Sequence, residues 1–216
     1  MAKILPSILC ADPLYLARDV AELAAGGVEM LHVDVMDGHF VPNLAIGFHV
    51  IEALAKGTDL RLDVHLMLSE PAKYIPRLAG LCYAVSFHWE AVDNPIEIVK
   101  QIQAMGCKAG IAVKPGTNAT ALRDVLLHID YALCMTVEPG FAGQSFIASA
   151  LGNLDALRCL RSEMGLSFIL EVDGSINAEN AGICVNRGAE WLVCGASLFS
   201  KNKTITKSLQ DIQSVI

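Results

Sequence analysis

The chain has 216 residues, of which 53% are hydrophobic, and a formal net charge of −7. An acidic chain is a poor candidate for sequence-independent nucleic-acid binding, because that binding needs basic side chains to neutralise phosphates. No run of about 18 apolar residues is free of charges and helix breakers, so no membrane partner is expected. The apolar stretch near the N-terminus is broken by Pro6 and followed by Asp12, unlike a signal peptide. We therefore expect a cytoplasmic protein.

Short apolar runs alternate with amphipathic stretches along the whole chain. The predicted strands are Ile4–Cys10, Met30–Met36, Arg61–Leu68, Ala84–Phe87, Lys108–Val113, Tyr131–Val137, Ser167–Val172 and Trp191–Cys194. The predicted helices are Leu14–Ala25, Phe48–Ala55, Ala72–Leu78, Pro95–Met105, Ala119–His128, Ala150–Ser162, Ala178–Arg187 and Thr204–Val215. Such alternation predicts parallel strands joined by right-handed crossovers.

Eight strand–helix units in a chain of this length favour an α/β fold, namely a single (β/α)8 TIM barrel that forms one domain over residues 1–216. An open, doubly wound sheet is the alternative. A dinucleotide-binding sheet would need G-x-G-x-x-G after its first strand, whereas this strand is followed by Cys10-Ala11-Asp12-Pro13. In a barrel, functional side chains gather at the carboxyl ends of the strands.

Polar residues are concentrated at those strand ends. Side chains two residues apart point to the same side of a strand, so His32, Asp34 and Met36 share one face. The next predicted strand repeats this arrangement with Asp63, His65 and Met67 in the stretch 63–67. A further carboxylate, Asp173, follows the strand that ends at Val172.

Two histidines and two aspartates at one rim form a mixed nitrogen and oxygen set that suits a divalent metal ion. The alternative is a cluster of polar side chains that only form hydrogen bonds with one another. Two such strands and a third carboxylate favour a metal site instead. Asp63 lies deeper in its strand, so we expect it to support a ligand instead of binding the metal. Three methionines near the rim, Met36, Met67 and Met135, are either core residues or a polarisable wall beside a reacting group.

Glycines follow three of the predicted strands. The stretch 137–144 contains Gly140 and Gly143, Gly174-Ser175 follows the next strand, and Gly195-Ala196-Ser197 follows the last. Glycine-rich loops expose backbone N–H groups to an anion, and the last two strand ends of a barrel are its usual phosphate site.

Six segments of the chain resemble the ribulose-phosphate 3-epimerase family. The matching segments are Pro6–Leu9, His32–Asn43, Asp63–Met67, Phe87–Ala91, Met135–Gln144 and Glu171–Gly174. They occur in order over nearly the whole chain. The resemblance implies an isomerase that inverts carbon 3 of a ketose phosphate, most simply D-ribulose 5-phosphate and D-xylulose 5-phosphate.

The resemblance also implies roles for individual residues. The four metal ligands would be His32, Asp34, His65 and Asp173, of which Asp34 and Asp173 would also exchange the proton at carbon 3. The predicted substrate-binding residues are Ser7, Met36, His65, Met67, Met135, Gly140, Phe141, Ala142, Gly143, Gly174, Ser175, Gly195, Ala196 and Ser197. The metal would be one divalent ion of zinc, manganese, iron, cobalt or magnesium. We also expect a homo-oligomer.

The phosphate end departs from the family pattern. Gly174-Ser175 stands where Gly-Gly is typical, and Gly195-Ala196-Ser197 stands where Gly-Ser-Ala is typical. The Asp-Gly-Ser form and the Phe-Ala-Gly-Gln loop are similar to the allulose-6-phosphate 3-epimerase branch, so D-allulose 6-phosphate is the alternative substrate. A related decarboxylase would carry lysine at the place of His65, and a non-catalytic sugar-phosphate binding barrel would not need two opposed aspartates.

Overall fold

The computed structural model describes residues 2–200 and 202–216, so Met1 and Lys201 of the predicted domain 1–216 lie outside the described residues. The strands among them are β1 (Lys3–Pro6), β2 (Met30–Asp37), β3 (Leu44–Ala45), β4 (Arg61–Met67), β5 (Ala84–His88), β6 (Lys108–Val113), β7 (Tyr131–Met135), β8 (Ile169–Asp173) and β9 (Trp191–Cys194). All of them except β3 pair in parallel.

The parallel strands close on themselves. Strand β1 pairs with β9, and the bridge between Ser7 and His32 joins the end of β1 to β2. The chain therefore folds as the predicted (β/α)8 barrel. The short strand β3 is an antiparallel hairpin on β2 that the apolar pattern did not predict, because it contributes only Leu44 and Ala45.

Six α-helices are described around the barrel. They are α1 (Leu16–Ala25), α2 (Phe48–Gly57), α3 (Pro95–Ala104), α4 (Leu151–Glu163), α5 (Ala181–Asn186) and α6 (Ile205–Gln213). Two predicted helices are instead pairs of short 3₁₀ turns, at Pro71–Lys73 with Ile75–Leu78 and at Ala119–Leu122 with Val125–Leu127. Within the part of the chain that the structure describes, no helix combines the length and apolarity needed to cross a bilayer.

The two connections made of 3₁₀ turns have local causes. Pro76 has no N–H group to donate, and its ring disfavours a continuous α-helix through the first of them. In the second, the Asn118 side chain accepts a hydrogen bond from the Thr120 N–H at 3.0 Å and so closes a tight turn. The first predicted strand, Ile4–Cys10, is also shorter in the structure, where β1 ends at Pro6 and Ile8–Cys10 form a 3₁₀ turn.

Strand register decides which side chains enter the barrel. Residues His32, Asp34 and Met36 of β2 pair with Asp63, His65 and Met67 of β4. The intervening valines and leucines pack outward with the helices in the main apolar core. The barrel interior thus carries an apolar floor below a polar layer. The floor consists of Leu5, Met30, Ala84, Tyr131, Trp191 and Val193.

Tyr131 joins the floor to the polar layer. Its ring packs against Trp191 with ring centroids 5.2 Å apart, and its hydroxyl donates to Asp63 Oδ1 at 2.8 Å. The ring fills the space in front of Gly110, where any Cβ atom would overlap three of its atoms. Gly110 is therefore required for a buried tyrosine in this position.

We predict that Gly110→Ala lowers the free energy of unfolding by about 1–3 kcal/mol, the usual cost of inserting extra volume into a packed core. Chemical denaturation measured by circular dichroism gives this value. The control is Gly116→Ala, because none of the described residues beyond its chain neighbours lies within 4 Å of a Cβ atom added at Gly116. Equal stability of the two variants would contradict the packing role of Gly110.

Candidate active site

Four side chains converge where β2, β4 and β8 end. His32 Nε2 lies 3.4 Å from Asp34 Oδ1 and 3.9 Å from Asp173 Oδ2. His65 Nδ1 lies 3.3 Å from Asp34 Oδ1 and 3.8 Å from Asp173 Oδ2. One ligand atom from each side chain lies within 4.8 Å of the corresponding atoms of the other three. The structure therefore brings together the four residues that the sequence predicted as a metal set.

The donor atoms fit a divalent cation. His32 Nε2 is buried and has no hydrogen-bond partner in the part of the chain that the structure describes, and an unpaired buried polar atom is costly unless a ligand satisfies it. Zinc bonds of about 2.0–2.2 Å in a tetrahedral site would separate ligand atoms by roughly 3.3–3.6 Å, near the distances found here. Two imidazole nitrogens and two carboxylate oxygens can thus hold such an ion.

A second layer of polar residues supports the first. His32 Nδ1 forms a 2.6 Å hydrogen bond with Asp63 Oδ2, and Asp63 also accepts from Tyr131. Glu171 lies in the same layer, where its Oε1 is 3.8 Å from His32 Nδ1. His32, Asp63 and Glu171 are also close enough to one another to hold an ion. Because Asp63 already binds His32 Nδ1, we interpret this layer as the support that orients His32.

The two aspartates of the site have different pKa values. Burial acts to raise the pKa of Asp34, but the neighbouring imidazoles of His32 and His65 outweigh it and hold that pKa below its usual value. Burial, with the adjacent Asp34 carboxylate, raises the pKa of Asp173 to about 6. Two carboxyl groups with separated pKa values are typical of sites that move protons.

A pocket opens directly above the metal set. Asp34 and Asp173 form part of its lining, and Ser7 donates a 2.6 Å hydrogen bond to Asp34 Oδ2. The predicted residues that line it are Ser7, Asp34, Met36, Met67, Met135, Gly140, Phe141, Ala142, Gly143, Asp173, Gly174, Ser175, Gly195 and Ala196. His32 and His65 lie behind this lining. Sequence reasoning missed the lining residues Leu9, Cys10, Val137, Glu138 and Pro139.

One side of the pocket is formed by loop backbone. A Cβ atom at Gly174 would overlap the backbone nitrogen of Val137, and one at Gly195 would overlap Cys10 Sγ. Position 174 therefore requires glycine, and the loop after β8 approaches the backbone after β7 closely, while the loop after β9 approaches the turn after β1. Such loops present N–H groups to an anion without a basic side chain.

The two serines of these loops bind other loops. The Ser175 hydroxyl donates to the Gln144 carbonyl oxygen, although Ser175 has a φ of +55° that is unfavourable outside glycine. Gln144 Nε2 in turn donates to the carbonyl oxygens of Glu138 and Phe141 at 2.6 and 2.8 Å. The Ser197 hydroxyl donates to the Ile176 carbonyl oxygen at 2.6 Å, and Ser197 lies outside the pocket lining. Neither hydroxyl proton is directed at the pocket.

Solved structures of other proteins share this fold. A mutant tryptophan synthase α-subunit from Pyrococcus furiosus superposes with a TM-score of 0.72 at 10% identity, covering 99% of this chain and 98% of that one. An orotidine 5'-monophosphate decarboxylase from Sulfolobus solfataricus superposes with a TM-score of 0.68 at 15% identity, covering 100% and 98%. At these identities the likeness establishes the barrel alone.

Sequence comparison is more specific. The family model described as "Ribulose-phosphate 3 epimerase family" matches residues 3–199. The ribulose-phosphate 3-epimerase of Mycobacterium tuberculosis is 45% identical over 197 residues, which cover 91% of this chain and 85% of that protein. The enzyme of the same name from Bacillus subtilis is 40% identical, with 94% of each chain covered. The chain therefore belongs to the ribulose-phosphate 3-epimerase family.

Proposed function

We propose that this chain is a metal-dependent 3-epimerase that interconverts D-ribulose 5-phosphate and D-xylulose 5-phosphate. The observation that carries the proposal is the pair Asp34 and Asp173, which both line one pocket and lie close to the same two histidines. Membership of the family and relatives named for this reaction support it.

Inversion at carbon 3 needs two proton-transfer groups on opposite faces of that carbon. The proton is weakly acidic because carbon 2 is a carbonyl, and its removal gives an enediolate. Asp34 accepts the proton on one face, and Asp173 delivers a proton on the other. The Ser7 hydroxyl, bound to Asp34 Oδ2, fixes the orientation of that carboxylate. Nothing is oxidised or reduced overall, so no nicotinamide or flavin is required.

His32, Asp34, His65 and Asp173 would hold one divalent ion. When bound, the ion supplies Lewis-acid stabilisation of negative charge on the ketose oxygens. The mixed nitrogen and oxygen donors favour zinc, manganese, iron or cobalt over magnesium, which prefers oxygen ligands and retained waters. The polarisable side chains of Met36, Met67 and Met135 would line the region of the reacting carbons.

The backbone of the loops after β7, β8 and β9 would bind the phosphate group. Their N–H groups would replace part of its hydration, so the chain needs no basic residue there and its net charge of −7 is no obstacle. Phe141 in the first of these loops is exposed, and we expect the loop to close over the sugar and exclude water. A homo-oligomer and a cytoplasmic location stay predictions.

D-Allulose 6-phosphate is a second candidate substrate. The observation that favours it is Ser175, which gives the loop after β8 the Asp-Gly-Ser form in place of Asp-Gly-Gly. Ser175 binds the Gln144 carbonyl instead of offering its proton to the pocket, which weakens the argument that it selects the longer sugar. We retain the pentulose phosphate as the first candidate.

Metal removal should abolish turnover. We predict that the purified chain contains about one divalent ion and loses activity when a strong chelator removes it, because two buried carboxylates alone stabilise the enediolate poorly. Elemental analysis and a coupled assay measure both quantities, and readdition of the ion should restore the rate. Full activity in a preparation shown to be metal-free would contradict the proposal.

Asp34→Asn and Asp173→Asn should each reduce kcat by 10²-fold or more, on the order of a general acid–base contribution. Metal content is measured beside the rate, because each residue is also a proposed ligand. Asp124→Asn is the matched control, since Asp124 is exposed and does not line the pocket. A near-normal rate in either site variant would remove that residue from the proton transfer.

Substrate length is tested by kcat/KM for both sugar phosphates. We expect D-ribulose 5-phosphate to be preferred, and a preference of about tenfold or more for D-allulose 6-phosphate, near 1.4 kcal/mol, would reverse the assignment. Ser175→Ala removes one hydrogen bond from the loop, worth about 0.5–1.5 kcal/mol. Because the phosphate is common to both sugars, kcat/KM should fall for both with an unchanged ratio. A changed ratio would show that Ser175 contacts the sugar.

A further inference from the structure

A chain of buried hydrogen bonds leads away from His65 on the side opposite the proposed metal. His65 Nε2 lies 2.9 Å from His88 Nε2, and both imidazoles are fully buried. His88 Nδ1 lies 3.3 Å from Glu90 Oε2. We propose that His88 and Glu90 are positioning residues that fix the tautomer of His65, so that its Nδ1 lone pair is presented to the metal. This inference rests on the ligand role of His65 in the proposed function.

Glu90 determines which atoms donate and which accept along this series of hydrogen bonds. Its Oε1 accepts from the backbone N–H of Lys114 at 2.9 Å and from the hydroxyl of Thr117 at 2.5 Å. These two donors favour the ionised form of Glu90, and an ionised carboxylate has no proton and can only accept on its other oxygen. His88 must therefore carry its proton on Nδ1, which donates to Glu90 Oε2 and leaves a lone pair on Nε2.

The second step follows from the contact between the two rings. Two imidazole nitrogens at 2.9 Å need one proton between them, so one donates and the other accepts. Because His88 Nε2 carries the lone pair, His65 donates from Nε2. A neutral His65 then has its lone pair on Nδ1, which faces the oxygens of Asp34 and Asp173 at 3.3 and 3.8 Å. A lone pair facing two carboxylates is repelled unless a cation lies between them.

Packing holds the hydrogen-bonded side chains of His65, His88 and Glu90 in place. The ring of Phe40 covers His88, with centroids 4.7 Å apart, and Lys114 Nζ lies 4.1 Å from the centroid of the Phe40 ring. Trp89–Ala91 form a 3₁₀ turn that directs Glu90 back toward Lys114 and Thr117. The loop after β6 is thereby connected through β5 to a side chain of β4. The sequence analysis included His88 and Glu90 only within the matching segment Phe87–Ala91 and predicted no role for either.

Glu90→Gln gives a test that separates positioning from packing. The amide keeps the shape of Glu90, and its oxygen still accepts from Lys114 and Thr117. Its NH₂ group then faces His88 Nδ1 and donates to it. That reverses both tautomers, places a proton on His65 Nδ1 and opposes metal binding. A purely structural role would leave this isosteric variant unaffected.

The first readout is the tautomer of His88 in the metal-free, full-length chain, measured by ¹⁵N NMR of the imidazoles, because His88 does not face the two aspartates. We expect Nδ1–H on His88 in the wild type and Nε2–H in Glu90→Gln. The second readout is the Kd for cobalt(II), measured in competition with a chromophoric chelator. We expect affinity to fall 10- to 100-fold, the usual effect of losing an outer hydrogen-bond partner of a metal ligand, and kcat to recover at saturating cobalt.

Two further variants complete the design. Glu163→Gln is the control, because Glu163 forms an exposed ion pair with Arg123 and does not line the pocket. Thr117→Val removes only the hydroxyl that fixes Glu90 Oε1, so a several-fold loss of cobalt affinity is expected even if Glu90→Gln does not fold. An unchanged His88 tautomer and unchanged cobalt affinity in Glu90→Gln would overturn the inference and leave the proposed function standing. A wild type that binds no cobalt would contradict the metal role in the proposed function. The His88 tautomer would still show whether Glu90 sets the positions of the imidazole protons.

Discussion

The arrangement of side chains inside this barrel depends on one constraint. Four acceptor atoms are buried close together, and their burial is unfavourable in free energy. Asp34 and Asp173 bring carboxylates to the ends of β2 and β8, and His32 and His65 bring imidazole nitrogens to the same point. Removing such groups from water is unfavourable unless they are paired or share a cation. The hydrogen bonds among them are incomplete, since His32 Nε2 has no partner within residues 2–200 and 202–216. A bound divalent ion would satisfy all four at once.

The surrounding structure keeps these groups from finding other partners. Asp63 and Tyr131 bind the far side of His32, and His88 binds the far side of His65. Each imidazole therefore has one nitrogen committed to the barrel and one directed at the shared point. The apolar floor below and the methionines above limit water at the same place. Orientation by outer partners and exclusion of water are what a metal-assisted proton transfer requires.

The sequence predicted the parts of the site that depend on strand geometry. The alternation of side chains along a strand placed His32 with Asp34 and His65 with Asp63, and parallel pairing aligned the two strands. It could not predict how loops contact one another. The hydroxyl of Ser175 is bound to the Gln144 carbonyl, and that of Ser197 to the Ile176 carbonyl, so neither is offered to a substrate. The direction of a side chain in a loop is set by tertiary contacts, which no local pattern records.

In the proposed mechanism, two aspartates on opposite faces exchange the proton at carbon 3. Reaction of D-ribulose 5-phosphate in deuterium oxide with the metal-loaded chain tests it most directly, with the product followed by ¹H NMR. A carboxylate on the second face equilibrates with solvent and delivers deuterium, so D-xylulose 5-phosphate should carry one deuterium at carbon 3. A product that retains the original proton at carbon 3 would contradict the two-aspartate account.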